Sequence, residues 1–220
     1  MKTTIKRKLQ RYLFIISLLI VSFTAQATIR YVKPGAGAGT APYDTWAKAS
    51  GNIQAVIDAS VDGDEIYIAS GTINLPQTIH WHLSINIYGG FTYGSNETPE
   101  TRQRPANGQA WEFTNPTILN GNGTFRILHQ SFAITNSFFD GFTIQNGLSV
   151  VNGNDKLRGG GARLLTGGTL TNSIIQNSSA QEGGGGVYIE NGGTVKNSLI
   201  INNNVTTNAY IGGGGVIMND

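Results

Sequence analysis

The chain of 220 residues contains no cysteine, which excludes disulfide bridges and thiolate metal sites. Charged side chains are scarce as well, at 13% of the residues against ~25% in a typical globular domain. After residue 27 no apolar run is long enough to span a membrane as a helix. Lys and Arg also form no basic patch of the kind that nucleic acid requires. Glycine, in contrast, is abundant, with 30 residues, about twice its average share.

The first 27 residues have the pattern of a secretory signal peptide. A basic start precedes an apolar segment at 12–23 and an Ala-Gln-Ala cleavage site at 25–27. The alternative, a membrane anchor that is not removed, needs ~20 apolar residues, and about a dozen are present. We therefore expect residues 1–27 to be removed on export. Five of the 15 basic residues and none of the 13 acidic residues lie there, so the mature chain would carry 10 basic and 13 acidic residues, a net charge of −3.

Residues 159–220 repeat themselves at a spacing of 25. A Gly-Gly-Gly cluster begins at 159 and again at 184. The same offset relates the Gly-Gly-Thr, Asn-Ser and apolar elements that follow each cluster. A third copy opens at 213, which is 29 positions later, with the surplus in residues 205–211. A repeat of this length is typical of a stacked solenoid.

The residue types within the repeat predict strands rather than helices. Apolar residues occur in short β-branched runs bounded by Gly, Asn and Ser, which is the pattern of short strands joined by tight turns. A repeat of about 25 residues with about three strands would form one rung of a parallel β-helix, with ~4.8 Å between rungs. We expect Ile175 to lie beneath Ile200 inside, and Asn172 beneath Asn197 at a bend.

Gly-Gly-Gly-Ala/Val clusters that alternate with Asn-Ser-x-Ile-x-Asn resemble the repeats of right-handed parallel β-helix proteins of bacterial surfaces. Polymorphic outer-membrane proteins and autotransporter-type adhesins are the nearest comparison. Residues 138–147 look like an earlier, diverged rung, because Ile-Gln-Asn at 144–146 matches 175–177. The resemblance covers most of the chain after residue 40. It implies an all-β, right-handed parallel β-helix of the pectate-lyase type, and it specifies architecture rather than activity.

Residues 28–63 are predicted to form a strand at 28–32 and an amphipathic helix at 46–60 that caps the open end of the β-helix. The glycine-rich stretch 35–39 lacks the G-x-G-x-x-G pattern of a nucleotide-binding loop, and we interpret it as a turn. Residues 64–220 would form the β-helix. A polar stretch with three prolines, residues 92–116, is predicted to leave it as a long loop.

Residues 79–88 alternate apolar and polar side chains, which predicts a single strand. His80 and His82 would point outward from it, about 7 Å apart. Zinc requires further ligands, and none is near in the sequence. We therefore interpret both as solvent-facing histidines and assign no metal site and no cofactor.

Carboxylates are too sparse to assign catalytic residues. A glycoside hydrolase needs a pair of them roughly 5–10 Å apart, and a calcium-dependent lyase needs several with a basic side chain near. Residues 159–219 contain two carboxylates, Glu182 and Glu190, and two basic side chains, Arg163 and Lys196. One modest cluster precedes the repeats, and we interpret it as a turn: Asp140, Asp155, Lys156 and Arg158.

These patterns favour an exported, non-enzymatic surface scaffold of the adhesin type, extracellular or associated with the outer membrane. Its partner would be a glycan or protein on a host or cell surface, and not nucleic acid. One alternative is a polysaccharide lyase or glycoside hydrolase whose catalytic rungs lie beyond residue 220. Another is a glycan-binding module that uses exposed Tyr67, Tyr88 and Tyr188 for stacking. The unfinished third repeat predicts that a further C-terminal part of the protein follows.

Overall fold

The computed structural model describes residues 27–150, 157–206 and 212–219. The predicted signal peptide, apart from Ala27, lies outside these residues. Within them the protein is almost entirely β, and all named strands pair in parallel. The helices of the described part are a 3-10 turn at Trp46–Lys48 and helix α1 at Ile53–Asp58. No helix in the described part is long and apolar enough to cross a bilayer.

Nineteen strands lie in the described ranges. In chain order they are β1 Ile29–Val32, β2 Glu65–Ala69, β3 Gly71–Asn74, β4 Ile79–Trp81, β5 Asn86–Phe91, β6 Thr117–Asn120, β7 Leu128–Gln130, β8 Ser137–Asp140, β9 Phe142–Gln145, β10 Leu148–Ser149, β11 Ala162–Leu164, β12 Gly168–Thr171, β13 Ile174–Gln176, β14 Ser179–Ala180, β15 Val187–Glu190, β16 Thr194–Lys196, β17 Leu199–Ile201, β18 Asn204–Val205 and β19 Val216–Asn219.

These strands form four parallel sheets. Sheet I has the order β1-β2-β5-β8-β12-β16, and sheet II has the order β3-β6-β9-β13-β17. Sheet III is β19-β15-β11-β7-β4, and sheet IV is β10-β14-β18. In the repeats the chain visits sheets III, I, II and IV in turn and then returns to sheet III. This arrangement is compatible with a parallel β-helix, as the sequence predicted.

The strand register confirms the repeat spacing of 25. The paired residues are Ala162 with Val187, Thr169 with Thr194, Ile175 with Ile200, and Ser179 with Asn204. One pair comes from each of the four sheets, and every pair has the same offset. Equivalent residues of successive copies therefore lie one above the other throughout the repeat.

Copies of other lengths differ at their corners, and the passage from β7 to β8 is one of them, because Leu128 pairs with Ala162 at an offset of 34 and Ser137 with Gly168 at an offset of 31. The diverged copy is in register, because Ile144 pairs with Ile175, 31 positions later. Val187 pairs with Val216 at an offset of 29. In both cases the extra residues fall where the chain passes from sheet IV to sheet III, after Ser149 in one copy and after Val205 in the other.

A column of apolar side chains from sheet I fills part of the core. Its members are in register across five strands: Ile66, Ile87, Phe139, Leu170 and Val195. The first four are 0% exposed. Each fully buried side chain of this size stabilises the fold by about 1.5–3 kcal/mol relative to exposure. Side chains of opposite parity in sheet I consequently point outward.

Asparagines with positive φ form the bends between sheets. Asn172 and Asn197 have φ of 48° and 49°, and Asn146, Asn177 and Asn202 lie between 51° and 57°. Asn adopts this left-handed conformation more readily than other residues with a Cβ, because its short amide bonds locally. The prediction that Asn172 and Asn197 occupy equivalent bends is confirmed.

The prediction of one helix over residues 46–60 is wrong. The 3-10 turn ends at Lys48, and α1 begins only at Ile53. Between them the chain is extended, because Ser50 forms a parallel bridge with Val32 of β1. The side chain of Asn52 then caps α1 by accepting a hydrogen bond from Ala55 N. Three apolar side chains of α1 are buried in the core beside β1 and β4.

The prediction of one strand over residues 79–88 is also wrong. β4 ends at Trp81 in sheet III, and β5 begins at Asn86 in sheet I, so the chain turns a corner between them. The indole Nε1 of Trp81 donates to the carbonyl of Ile85 across this corner, at 3.3 Å. The alternation continues through the bend because apolar residues on both sides of it face the same core.

Candidate functional site

A groove of about 370 Å³ lies on the outer face of sheet I, beside the segment 92–116. Sheet I contributes Tyr88, Phe138, Asp140 and Lys196, among others. The segment contributes a wall that includes Pro99, Glu100, Arg102 and Arg104. As predicted from the sequence, this segment contains no helix and no strand.

The floor of the groove crosses four strands. Tyr88 pairs with Asp140, Asp140 with Thr171, and Thr171 with Lys196. Neighbouring strands are ~4.8 Å apart, so the column from Tyr88 to Lys196 extends over about 14 Å. The groove therefore runs across the strands, along the direction in which the repeats stack.

Arg102 holds the wall of the groove against sheet I. Its guanidinium donates from Nη1 to the carbonyl of Gly89 at 2.7 Å and from Nη2 to Asp140 Oδ1 at 2.6 Å. Nε donates to the carbonyl of Pro99 at 2.8 Å. Arg102 is only 6% exposed. The wall is thus fixed by charge-assisted hydrogen bonds rather than by regular secondary structure.

Asp140 is occupied on both oxygens. Oδ1 accepts from Arg102, and Oδ2 accepts from Asn172 Nδ2 at 2.6 Å. Of the four residues that the sequence analysis interpreted as a turn, Asp140 bonds to Arg102 and Asn172, and Arg158 pairs with Glu182 at 3.3 Å. The other two members, residues 155 and 156, lie outside the described residues.

Two cations of the groove, Arg104 and Lys196, make no ion pair with a carboxylate of the described residues. Arg104 lies 4.0 Å above the ring of Phe113 and donates to the carbonyl of Ala110. Lys196 Nζ lies 5.2 Å from the ring centroid of Phe138. Partial burial lowers the pKa of Arg104, and repulsion from Arg102 lowers it further. With three cations and two carboxylates among its lining residues, the groove has a net charge of +1.

A buried hydroxyl also lines the groove. Thr171 is 2% exposed, and its Oγ1 has no hydrogen-bond partner within the described ranges. Buried polar groups are nearly always paired with protein or water. The hydroxyl of Thr171 is therefore a candidate for a hydrogen bond to water or to a ligand at the edge of the groove.

Tyr88 is a half-buried aromatic side chain on the groove floor. Burial raises its pKa to about 12, and the charges of Glu65 and Asp140 add to this effect. It is therefore an uncharged phenol at neutral pH. Its edge-to-face contact with Tyr67, at 5.9 Å between centroids, fixes its place in the column.

The prediction that Tyr67 and Tyr188 are exposed is wrong. Tyr67 is 6% exposed, stacks on Phe91 at 4.3 Å and donates from its hydroxyl to Glu65 at 2.8 Å. Tyr188 is 0% exposed and lies beneath the guanidinium of Arg158, at 5.3 Å. Both point away from the core by alternation, but neighbouring side chains cover them.

The two histidines singled out in the sequence do not converge on a metal. His80 is exposed, and its Nδ1 lies 3.4 Å from Ser131 Oγ. Nδ1 of His82 lies 3.1 Å from the carbonyl oxygen of His80. In the described ranges no three His, Asp or Glu side chains gather into a group that would hold a metal. Sequence spacing does not reveal that His129 is a neighbour of His80. The two are strand partners, with 5.6 Å between their ring centroids.

The carboxylates of the repeats are held by arginines. Glu190 is 8% exposed and accepts from Arg163 Nη2 at 2.7 Å. Arg163 Nη1 lies 3.0 Å from His129 Nε2, so this row links three strands of sheet III. Glu182 pairs with Arg158 in the same way. These contacts give the side chains a structural role between neighbouring copies.

Sequence reasoning missed the groove because its wall and floor are distant in the chain. Arg102 and Asp140 are 38 positions apart, and their pairing follows only from the fold. One signal of the groove was available in the sequence. Alignment of the repeats places the outward-facing column of side chains on one face of the sheet. A comparison with protein-family models, with curated proteins and with solved structures finds no match to this chain.

Proposed function

We propose that the chain is an exported, right-handed parallel β-helix that serves as a non-enzymatic, adhesin-like scaffold on a bacterial surface. Its groove on sheet I is the binding surface, and a glycan is the ligand. The observation that carries this proposal is the composition of the groove. Among the described residues, half-buried aromatic side chains, two cations without an ion pair and a hydroxyl without a hydrogen bond line one elongated depression.

The strand registers support the solenoid. Four sheets share one offset of 25 residues, which is the spacing of one rung. Parallel connections within a sheet are right-handed in nearly all cases, and the resembling surface proteins have this hand. The buried apolar side of α1 would act as the cap of the first rung.

The chemistry of the groove supports binding without catalysis. A hydrolase needs one carboxyl group as acid and another as base or nucleophile. Of the two carboxylates that line the groove, Asp140 has both oxygens engaged by Arg102 and Asn172. Glu100 alone would then have to perform both tasks.

Export is tested with the full-length chain expressed in a bacterial host. We expect the mature protein to begin at Thr28 and to become accessible to protease added outside intact cells. Uncleaved protein that stays in the cytoplasm would contradict this part of the proposal.

Binding is tested on an array of neutral and acidic glycans, together with an assay for newly formed sugar ends. Binding that disappears with Tyr88→Ala and persists with Tyr93→Ala places the ligand in the groove, since Tyr93 is 49% exposed and does not line it. Circular dichroism checks that both variants fold. Release of sugar products would instead favour the lyase or hydrolase alternative.

A further inference from the structure

We propose that the groove takes an anionic oligosaccharide, a sugar chain with carboxylate or sulfate groups that Arg104 and Lys196 bind. This inference rests on the proposed glycan-binding function and adds the charge of the ligand to it. Its basis is the meeting of three features in a single groove: two cations without an ion pair and one hydroxyl without a hydrogen bond among the described residues, together with two aromatic side chains.

The sign of the charge in the groove is opposite to that of the expected mature chain. The mature chain has 10 basic and 13 acidic residues, hence −3, whereas the lining residues sum to +1. Arg102 and Asp140 neutralise each other at 2.6 Å. The surplus thus comes from Arg104 and Lys196, which face only Glu100 as an opposing charge in the lining.

Arg104 has a geometry that suits the binding of an anion. Guanidinium has five N–H donors in a planar fork that matches carboxylate and sulfate oxygens. Its protein hydrogen bond goes to the carbonyl of Ala110, and the ring of Phe113 supports one face of the group. Most of its donors therefore lie open to a ligand, and an anion there would offset the repulsion from Arg102.

The length of the groove favours an extended ligand over a single small anion. Lys196 lies at the end of the column that begins at Tyr88, about 14 Å away. A chain of sugar rings would lie along the apolar faces of Tyr88 and Phe138, and the buried hydroxyl of Thr171 would bond a sugar hydroxyl. One phosphate or sulfate ion satisfies only part of this set.

The test is titration calorimetry of the full-length purified chain with three tetrasaccharides of similar size. Tetragalacturonate carries carboxylates, a heparin-derived tetrasaccharide carries sulfates, and galactotetraose is neutral. Sodium sulfate serves as the simple anion. We expect at least one acidic tetrasaccharide to bind about tenfold or more tightly than the neutral one, and to weaken as salt shortens the screening length.

Substitutions of groove residues test whether the ligand binds in the groove. Arg104→Gln and Lys196→Gln should each weaken acidic binding about five- to tenfold, while Arg104→Lys should lose less. Lys48→Gln is the control, because Lys48 is an exposed cation paired with Asp44 outside the groove. Thr171→Val should weaken binding a few-fold without lowering the melting temperature, since it removes a hydroxyl that has no hydrogen-bond partner in the part of the chain that the structure describes.

Three results would overturn the inference: equal affinity for the neutral tetrasaccharide, unchanged affinity in both charge variants, or sulfate ion alone binding as tightly as the acidic sugars. If the neutral sugar binds and Tyr88→Ala abolishes this, the charge selectivity fails and the proposed glycan-binding function stands. If no sugar of either kind binds, both fail.

Discussion

Arg102 and Asp140 join the segment 92–116 to sheet I through an ion pair of 2.6 Å between Nη2 and Oδ1. Their side chains are 3% and 10% exposed. Breaking such a pair on one side leaves a buried charge without compensation, which costs about 3–5 kcal/mol. The contact therefore controls both the stability of the fold and the shape of the groove.

We expect Arg102→Ala to lower the free energy of unfolding in urea by about 3–5 kcal/mol. The control is Lys48→Ala, which removes an ion pair whose side chains are 42% and 38% exposed and should change stability by about 0.5 kcal/mol or less. Equal, small losses in the two variants would contradict the burial of the Arg102 pair.

Ile175→Ala tests the stacked core. Ile175 is 0% exposed and lies between Ile144 and Ile200 of the neighbouring copies. The cavity should lower the free energy of unfolding by about 2–5 kcal/mol. Ile201→Ala, at a residue 42% exposed, makes the same chemical change and should cost about 1 kcal/mol or less. A larger loss at Ile201 would refute the assignment of inward and outward faces.

Asn177→Ala tests the bends. Asn177 has φ of 51°, a conformation that costs a residue with a Cβ about 1–2 kcal/mol. We expect Asn177→Ala to lower the melting temperature and Asn177→Gly to lower it less, because glycine has no Cβ. Asn204→Ala, at an exposed position in β18, should have little effect. The opposite order of Ala and Gly at residue 177 would rule out this explanation.

The register is tested by cross-linking, since the chain has no cysteine of its own. Gln145 and Gln176 pair in sheet II, and their side chains are hydrogen-bonded at 3.0 Å. A Gln145→Cys/Gln176→Cys variant should form a disulfide on mild oxidation, because the ~4.8 Å strand spacing lies within the Cα range for this bond. Gln145→Cys/Ile201→Cys spans two strand spacings, about 9.6 Å, and should stay reduced. Thiol titration and non-reducing gels measure both.

Alkaline pH should destabilise the protein partly through Tyr88. Its folded pKa is about 12, and in the unfolded chain tyrosine titrates near 10. The unfolded chain therefore loses its proton first, so stability is complete below about pH 10 and falls as pH rises toward about 12. Burial raises the pKa of Tyr31 and Tyr67 in the same direction. Tyr88→Phe should make the decrease of the unfolding free energy with pH less steep. Urea unfolding at a series of alkaline pH values measures this dependence, and the same dependence in both proteins would contradict the prediction.

Much of the fold was predictable because the repeat in the sequence is also a repeat in the structure. Parallel stacking places equivalent residues in contact, so the offset of 25 in the sequence becomes the pairing of Ile175 with Ile200. The bends at Asn172 and Asn197 followed for the same reason. Where copies align, sequence similarity is direct information about contacts.

The errors arose where tertiary contacts override local pattern. The apolar spacing over residues 46–60 is helical, yet backbone pairing of Ser50 with Val32 interrupts it. The alternation of apolar and polar residues over 79–88 gives no sign of the corner between two sheets. Exposure of Tyr67 and Tyr188 depends on covering side chains such as Arg158. The groove was missed because Arg102 reaches it from a loop without periodicity.

The variable length of the corner between sheet IV and sheet III has a consequence for how such a gene can change. The passage from sheet IV to sheet III is longer after Ser149 and after Val205 than after Ala180, while the strands on both sides keep their parallel pairing. We therefore expect an in-frame duplication of 25 codons to add one layer that continues the pairing of all four sheets. The extra residues after Val205 show that a short insertion at that corner is compatible with the pairing on both sides of it. The outward columns are then the part of the protein on which selection can act independently of its folding.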